Sequence, residues 1–164
     1  MNAIVAVSQN FGIGCGNDLL YRIPGDMKFF REKTLGKVVV MGRKTFLSLP
    51  NSRPLNDRTN IVLTRDKDFT ADGVLVFTSV PGLLEGLKGY NPDDVFVIGG
   101  GEVYSELLPH CNTAFVTKIE AEKPAQVFFP NLDVSYDWVL AEQSAKYEHE
   151  GIFYSFCIYN KEGI

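Results

Sequence analysis

Apolar runs and polar breaks alternate along this chain. Ala3 to Val7 is continuously apolar, the pattern of a strand buried on both faces. Val38 to Met41, Asn60 to Thr64 and Val95 to Ile98 read the same way, and Leu75 to Phe77 is a shorter candidate. Helical stretches lie between them. Pro24 opens one, with Asp26 in its first turn, and Thr34 to Gly36 closes it. Another follows Gly42 and ends before Pro50. A third, Val80 to Leu87, is weakened by Gly82 and Gly86, and a fourth, Glu102 to Leu108, stops at Pro109.

Thr113 to Ile119 is a further strand. The tail changes character: Trp138 to Glu142 and Ile152 to Tyr159 read as antiparallel strands. In the latter, Ile152, Tyr154, Phe156 and Ile158 share one face. Gly12, Gly14 and Gly16 mark a long loop reaching Ile23. Strands alternating with helices predict an α/β fold: a doubly wound, mostly parallel central sheet of about eight strands, with an antiparallel C-terminal edge strand and about four flanking helices.

The chain has 164 residues, the length of a single domain spanning 1–164. Its net charge of -4 argues against a nucleic-acid or anionic-membrane partner, though a local basic pocket fits. No apolar stretch approaches a transmembrane length, and the first ten residues lack a signal-peptide pattern. The three cysteines, Cys15, Cys111 and Cys157, are widely spaced without CxxC. They fit reduced thiols in a cytoplasmic monomer better than a disulfide framework or a metal site.

Three features can carry chemistry. Asp26 in a first helical turn complements the helix dipole, and most such acids do only that. At 100° per residue, however, Asp26 lies beside Met27, Phe30 and Thr34. A carboxylate on an apolar stripe is desolvated and needs a partner or a raised pKa. It can then bind a cationic or amidine-like ring or help move a proton.

Gly99-Gly100-Gly101 joins a buried strand to a helix, an arrangement that lets bare N–H groups approach a pyrophosphate. It also serves as a simple tight turn, and it is not GxGxxG. Gly42-Arg43-Lys44-Thr45 repeats the arrangement without P-loop spacing, so two such turns suggest a dinucleotide. Arg43, Lys44 and Arg65 follow the carboxyl ends of predicted strands, where a 2'-phosphate can be read. Arg65 equally suits a solvated turn of alternating charge. Arg58 has the side chain best shaped for a carboxylate. His110 and His149 lack metal-ligand spacing, and Cys15 has no histidine near it in sequence.

Together these segments resemble the dihydrofolate reductase family over nearly the whole chain. The resemblance rests on Ile4 to Val7 with Gly12-Ile13-Gly14, Ile23 to Phe30, Val40 to Phe46, and Arg53-Pro54-Leu55 with Arg58. Val97 to Tyr104, Thr117 and Phe129-Pro130 complete it. It implies NADPH-dependent reduction of 7,8-dihydrofolate, with hydride passing to pterin C6 and a proton to N5. By the match, Asp26 promotes that protonation, Thr117 hydrogen-bonds its carboxylate, and Tyr21 stands where a water-holding residue is usual.

For substrate, the resemblance implies Ile4, Val5, Met27, Phe30, Leu49, Arg53, Leu55, Arg58 and Ile98. Ile4 and Ile98 would offer carbonyls, and Arg58 would take the α-carboxylate. For cofactor it implies Ala6, Ile13, Gly14, Asn17, Leu19, Gly42, Arg43, Lys44, Thr45, Thr64, Arg65 and Gly99 to Tyr104, including Glu102 and Val103. The family has a cis peptide between the first two glycines, here Gly99 and Gly100, and no metal is implied. Gly12 to Ile23 resembles a mobile lid.

The sequence departs from the family pattern at Leu20-Tyr21, where Pro-Trp is usual, and at Gln126-Val127, where an acid and Thr are usual. The second change puts the tie between that loop and the lid in question. Two other readings are a related reductase acting on a ribosylated pyrimidine and a non-catalytic NADPH-binding module. Asp26, Phe30 and Arg58 together suit a pterin with a glutamate tail better than the first. Asp26 with Thr117 argues against the second.

Overall fold

The computed structural model describes residues 1–15 and 18–162. Gly16 of the glycine-rich loop and the expected cofactor residue Asn17 lie outside the described residues. Four apolar runs form the parallel centre: β1 (Asn2–Val7), β4 (Val38–Gly42), β5 (Thr59–Leu63) and β7 (Val95–Gly99). They precede or follow four helices: α1 (Pro24–Thr34), α2 (Arg43–Ser48), α3 (Val80–Gly86) and α4 (Gly101–Leu107). With β6 (Val74–Phe77), β8 (Thr113–Ile119), β10 (Trp138–Gln143) and β12 (Ile152–Lys161), the main sheet runs β10-β12-β8-β1-β7-β4-β5-β6.

The pairs from β8 to β6 are parallel, and β12 is antiparallel to both its neighbours. The antiparallel pairing is thus confined to one end. There β10 is the outermost strand and the C-terminal β12 lies one place inside it.

Alternation along the strands sorts the side chains onto two faces. Val5, Val40, Ile61, Val97, Val116 and Tyr159 join Leu83 of α3 and Val103 and Leu107 of α4 in the large core. The opposite face divides into two smaller clusters. One sets Val39, Met41 and Val62 against Phe46 of α2, and the other gathers Ile23, Ile119 and Tyr154 at the start of α1. Two helices therefore cover each face, and the second face is left with a cleft between α1 and α2.

Two features escaped the sequence reading. The Gly12–Ile23 segment contains β2 (Gly12–Cys15) and β3 (Asp18–Leu19), which form a small antiparallel sheet with β9 (Val127–Phe128). A short β11 (Tyr147–His149) pairs with β12. The face shared by Ile152, Tyr154, Phe156 and Ile158 is as expected, but Ser155, Cys157 and Tyr159 on the opposite face are also buried. Both faces of β12 are packed.

Leu83 is fully buried and is the only buried residue of α3. Leu83→Ala is expected to lower unfolding free energy by about 2–5 kcal/mol, the range for a large-to-small change in a packed core. Urea denaturation reads it directly. A change near zero would show that α3 is not anchored through this side chain.

Candidate active site

The cleft exists because β1 and β7 part company. Their ladder pairs Asn2 with Phe96 and Ala3 with Val97, and goes no further. From Ile4 onward β1 is paired only with β8. On its other side β7 carries a bulge: β4 pairs Val40 with Val97 and Met41 with Gly99, skipping Ile98. The parting is also the topological switch. The chain crosses from β1 by α1 to β4, and from β7 by α4 to β8 on the other side of β1. Open α/β sheets bind ligands at the carboxyl ends of strands at this point.

Ile4 and Ile98 thus stand at the parting: Ile4 has no partner on the β7 strand, though it stays paired with Phe115 of β8, and Ile98 is skipped by the β4 ladder. The Tyr104 hydroxyl donates to the Ile4 carbonyl at 2.7 Å. A carbonyl has a second lone pair, so Ile4 retains an acceptor. Tyr104 is buried edge-on to Phe129, and burial pushes its phenol well up, keeping it a donor. Val5 points into the large core and can offer only backbone atoms.

Asp26 faces this cleft from the first turn of α1. Its Oδ1 accepts a hydrogen bond from the Thr117 hydroxyl on β8 at 2.6 Å, and Thr117 is only 2% exposed. Ala6 pairs with Thr117 in the β1–β8 ladder, so the hydroxyl sits directly beside the parting strand. Burial pushes the Asp26 carboxyl above its ordinary range, and the Thr117 bond draws it only partly back. The acid is therefore held ready to carry a proton at higher pH than a surface aspartate. Ala6, Ile13, Leu19, Tyr21, Met27 and Ile119 line one pocket with it. A larger hollow of about 200 Å³ between Phe29, Lys33 and Phe156 contains none of the expected site residues.

Arg58 meets the far end of α1. The Arg58 guanidinium donates from Nη1 to the Thr34 hydroxyl at 3.2 Å and from Nε to the Asn56 carbonyl at 2.9 Å. At 1.5 Å per residue, Thr34 lies about 12 Å along the helix from Asp26. Burial lowers the Arg58 pKa, and Arg31 lowers it further. Arg31 is thus near enough to repel the Arg58 charge, and an anion beside the two guanidinium groups would relieve that repulsion. Arg31 was missed, although its i,i+3 spacing to Thr34 was a usable signal. Leu49, Leu55 and Ile98 each pack against the cluster of Val39, Met41, Val62 and Phe46, while Met27 and Arg53 are exposed and Phe30 is half-buried.

The starts of α2 and α4 follow neighbouring strands β4 and β7. Neither has a capping side chain, so first-turn N–H groups are left to a ligand. A Cβ on Gly101 would lie 2.5 Å from Val127 Cγ1, and one on Gly100 would meet Thr45 Oγ1 at 3.3 Å. Gly42 is similarly tight, with Val103 Cγ2 at 3.0 Å from such a Cβ. The Gly99–Gly100 peptide is cis, as the resemblance implies. Thr45 is half-buried and Lys44 exposed beside it. This cradle of bare backbone, with Arg43 and Lys44 at its edge, fits a dinucleotide pyrophosphate.

Thr64 and Arg65 lie at the end of β5. The Thr64 hydroxyl accepts from the Asp66 N–H at 3.1 Å, and Arg65 reaches Glu106 at 3.8 Å while remaining exposed. Glu102 is exposed in the first turn of α4, where its carboxylate opposes a phosphate and its backbone N–H is what it can offer. Val103 and Tyr104 bury their side chains in the core beneath.

The segment over the cleft is tied by means the sequence did not advertise. The Gln126 N–H donates to the Gly14 carbonyl at 2.9 Å, alongside the β2–β9 pairing. Lys123 donates to the Leu20 carbonyl at 3.1 Å and sits 4.5 Å from the Tyr21 ring centroid. Burial and Glu122 together raise the Tyr21 phenol pKa.

The family model described as dihydrofolate reductase matches residues 1–161. A dihydrofolate reductase of Bacillus subtilis is 38% identical over 161 residues, covering 97% of this chain and 93% of that protein. One from Neisseria gonorrhoeae is 34% identical, covering 95% and 94%. A solved structure of dihydrofolate reductase from Enterococcus faecalis, complexed with NADP(H) and RAB-propyl, superposes with a TM-score of 0.88 at 34% identity, covering 99% of this chain and 96% of that one.

Gly101→Ala is expected to weaken NADPH binding at least ~10-fold, about 1.4 kcal/mol, because Val127 leaves no room for the methyl group without moving the helix start. Fluorescence titration measures it. Unchanged affinity would show that the α4 start does not meet the cofactor.

Proposed function

This chain belongs to the dihydrofolate reductase family, and from that premise we propose how its own residues reduce 7,8-dihydrofolate to tetrahydrofolate with NADPH. The observation that carries the proposal is the half-buried Asp26 carboxyl bonded to the buried Thr117 hydroxyl at the parted strands. Bound NADPH supplies a hydride. Gly42 to Thr45 and Gly99 to Tyr104 would hold its pyrophosphate and nicotinamide half, and Arg43, Lys44, Thr64 and Arg65 its adenosine side.

Asp26 binds the amino-pyrimidine edge of the pterin, and its raised pKa keeps a proton available for N5. Thr117 orients the carboxylate by donating to one oxygen, leaving the other for the pterin edge. The Ile4 and Ile98 carbonyls fix the ring's orientation across the cleft. Met27, Phe30, Leu49 and Leu55 wall the rings, and Arg58 with Arg31 takes the tail carboxylate. Tyr21 and Leu19, on the segment over the cleft, exclude water from the reacting atoms.

We place the protein in the cytoplasm as a single-domain monomer. Its three cysteines are free thiols, Cys15 exposed and Cys111 and Cys157 buried, which suits a reducing compartment. No helix among the described residues is long and apolar enough to cross a membrane.

The direct test follows NADPH absorbance with and without dihydrofolate; oxidation that does not depend on folate would overturn the reading. Asp26→Asn is expected to cut turnover at neutral pH by roughly 10²–10⁴-fold, the range of general acid–base contributions, while sparing NADPH binding. Unchanged turnover would reduce Asp26 to a helix-dipole acid.

The pH dependence has a definite sign. A carboxyl with a raised folded pKa favours the fold most below its unfolded pKa, and that contribution is lost as pH rises through the folded value. Turnover should decline as pH rises through the raised Asp26 pKa for a separate reason: the ionised carboxylate no longer holds a proton to pass on. Above that pKa, Asp26→Asn should melt no lower than wild type, because it removes a partly desolvated charge.

Arg58→Ala is expected to weaken dihydrofolate by about 2 kcal/mol, the low end for truncating a charge pair, because the guanidinium remains partly in solvent. A pterin lacking glutamate should bind almost unchanged. Equal losses for both ligands would show that the carboxylate role is wrong.

A further inference from the structure

The first turn of α1 has no side-chain cap: Ile23 occupies the cap position and makes no such bond. The Asp26 and Met27 N–H groups both donate to the Ile23 carbonyl at 3.0 Å. Packing must therefore set how deeply this turn sits on the sheet. What it sits on is Tyr154. A Cβ built on Gly25 would lie 2.2 Å from the Tyr154 hydroxyl oxygen and 3.2 Å from its Cζ. The hydroxyl fills the space that any residue other than glycine would need for its side chain.

Tyr154 cannot easily withdraw. It is 6% exposed, stacked on Tyr147 with centroids 5.8 Å apart and edge-on to Phe156 at 5.7 Å. The β8–β12 ladder pairs Tyr154 with Ile119 and Phe156 with Thr117. Paired residues on neighbouring strands project from the same face, so Tyr154 and Thr117 rise from the sheet toward α1 at a spacing fixed by backbone hydrogen bonds. One meets Gly25 and the other grips Asp26, the next residue in the helix.

We propose that Tyr154 is a positioning residue for Asp26: its hydroxyl sets the seat of the first turn on the sheet and so holds the carboxylate within reach of Thr117. The inference rests on the reading of Asp26 as the group that manages the proton. It also explains why position 25 is glycine although φ there is not in the left-handed region. The demand is close approach, not backbone freedom.

The test is a pair of variants that can compensate. Gly25→Ala would lift the turn and lengthen the Thr117 bond, which favours the charged carboxylate. Its kcat at pH 7 should fall ~10-fold and the midpoint of its pH–rate profile should rise by ~0.5 unit or more. NADPH affinity should stay at the wild-type level. Adding Tyr154→Phe leaves the new methyl group facing a ring carbon at 3.2 Å, a contact that a small tilt relieves. The double variant should recover most of the lost kcat and return the midpoint toward wild type.

Gly25→Ala with wild-type kcat and midpoint, or a double variant no better than the single one, would overturn the proposal. If Gly25→Ala alone does not fold, the double variant decides. It should fold, bind NADPH and keep the wild-type midpoint, and its failure to fold overturns the proposal. Full turnover in Asp26→Asn would instead refute the underlying reading, whatever Gly25→Ala does.

Discussion

A half-buried carboxyl group sits on the first turn of a helix, and a buried threonine hydroxyl donates to it at 2.6 Å. Burying that carboxylate is unfavourable, and one neutral hydrogen bond offsets only part of the penalty. The rest of the site follows from keeping it there. The turn needs a firm seat, which the Tyr154 and Ile23 cluster supplies. Thr117 needs a fixed position, which a central strand with ladders on both sides supplies. The opposing wall must open for a planar ring, and it does so where β1 and β7 separate after Ala3 and Val97.

The same separation organises the cofactor side. The Ile98 bulge on β7 ends regular pairing just before the three glycines, so the chain turns into α4 beside the start of α2. Bare backbone at both helix starts gives two neighbouring places for phosphate oxygens. Val127, packed against Gly101, ties the small sheet over the cleft to that cradle. The segment proposed to cover the reacting atoms and the helix start that would hold the cofactor therefore meet through one side chain.

Much of this was legible in the sequence. The buried strands were continuous apolar runs, and each main helix had a Pro, Gly or Asp at the expected boundary. Asp26 stood out because helical periodicity placed it beside Met27 and Phe30. What stayed hidden was tertiary. The small β2–β3–β9 sheet is built from glycine-rich, short segments with no period to detect. Lys123 and Arg31 gain meaning only from the Leu20 carbonyl and Arg58 that folding brings near them. Tyr154 read as one apolar position in an alternating strand, and nothing local linked it to Gly25, more than a hundred residues earlier. The Gln126-Val127 departure looked like a lost tie. Backbone pairing with Gly14 and the contact with Gly101 show how the segment is held without the acid.

Asp26 is an acid perturbed by desolvation and steadied by Thr117. The most direct measurement is titration of its carboxyl by carbon-detected NMR with labelled aspartate, in the wild type and in Thr117→Val. Asp26→Asn assigns the signal. The expected result is a wild-type midpoint above the ordinary aspartate value of about 3.9, with a further rise when the hydroxyl is removed. A midpoint in the ordinary range, unmoved by Thr117→Val, would contradict the account.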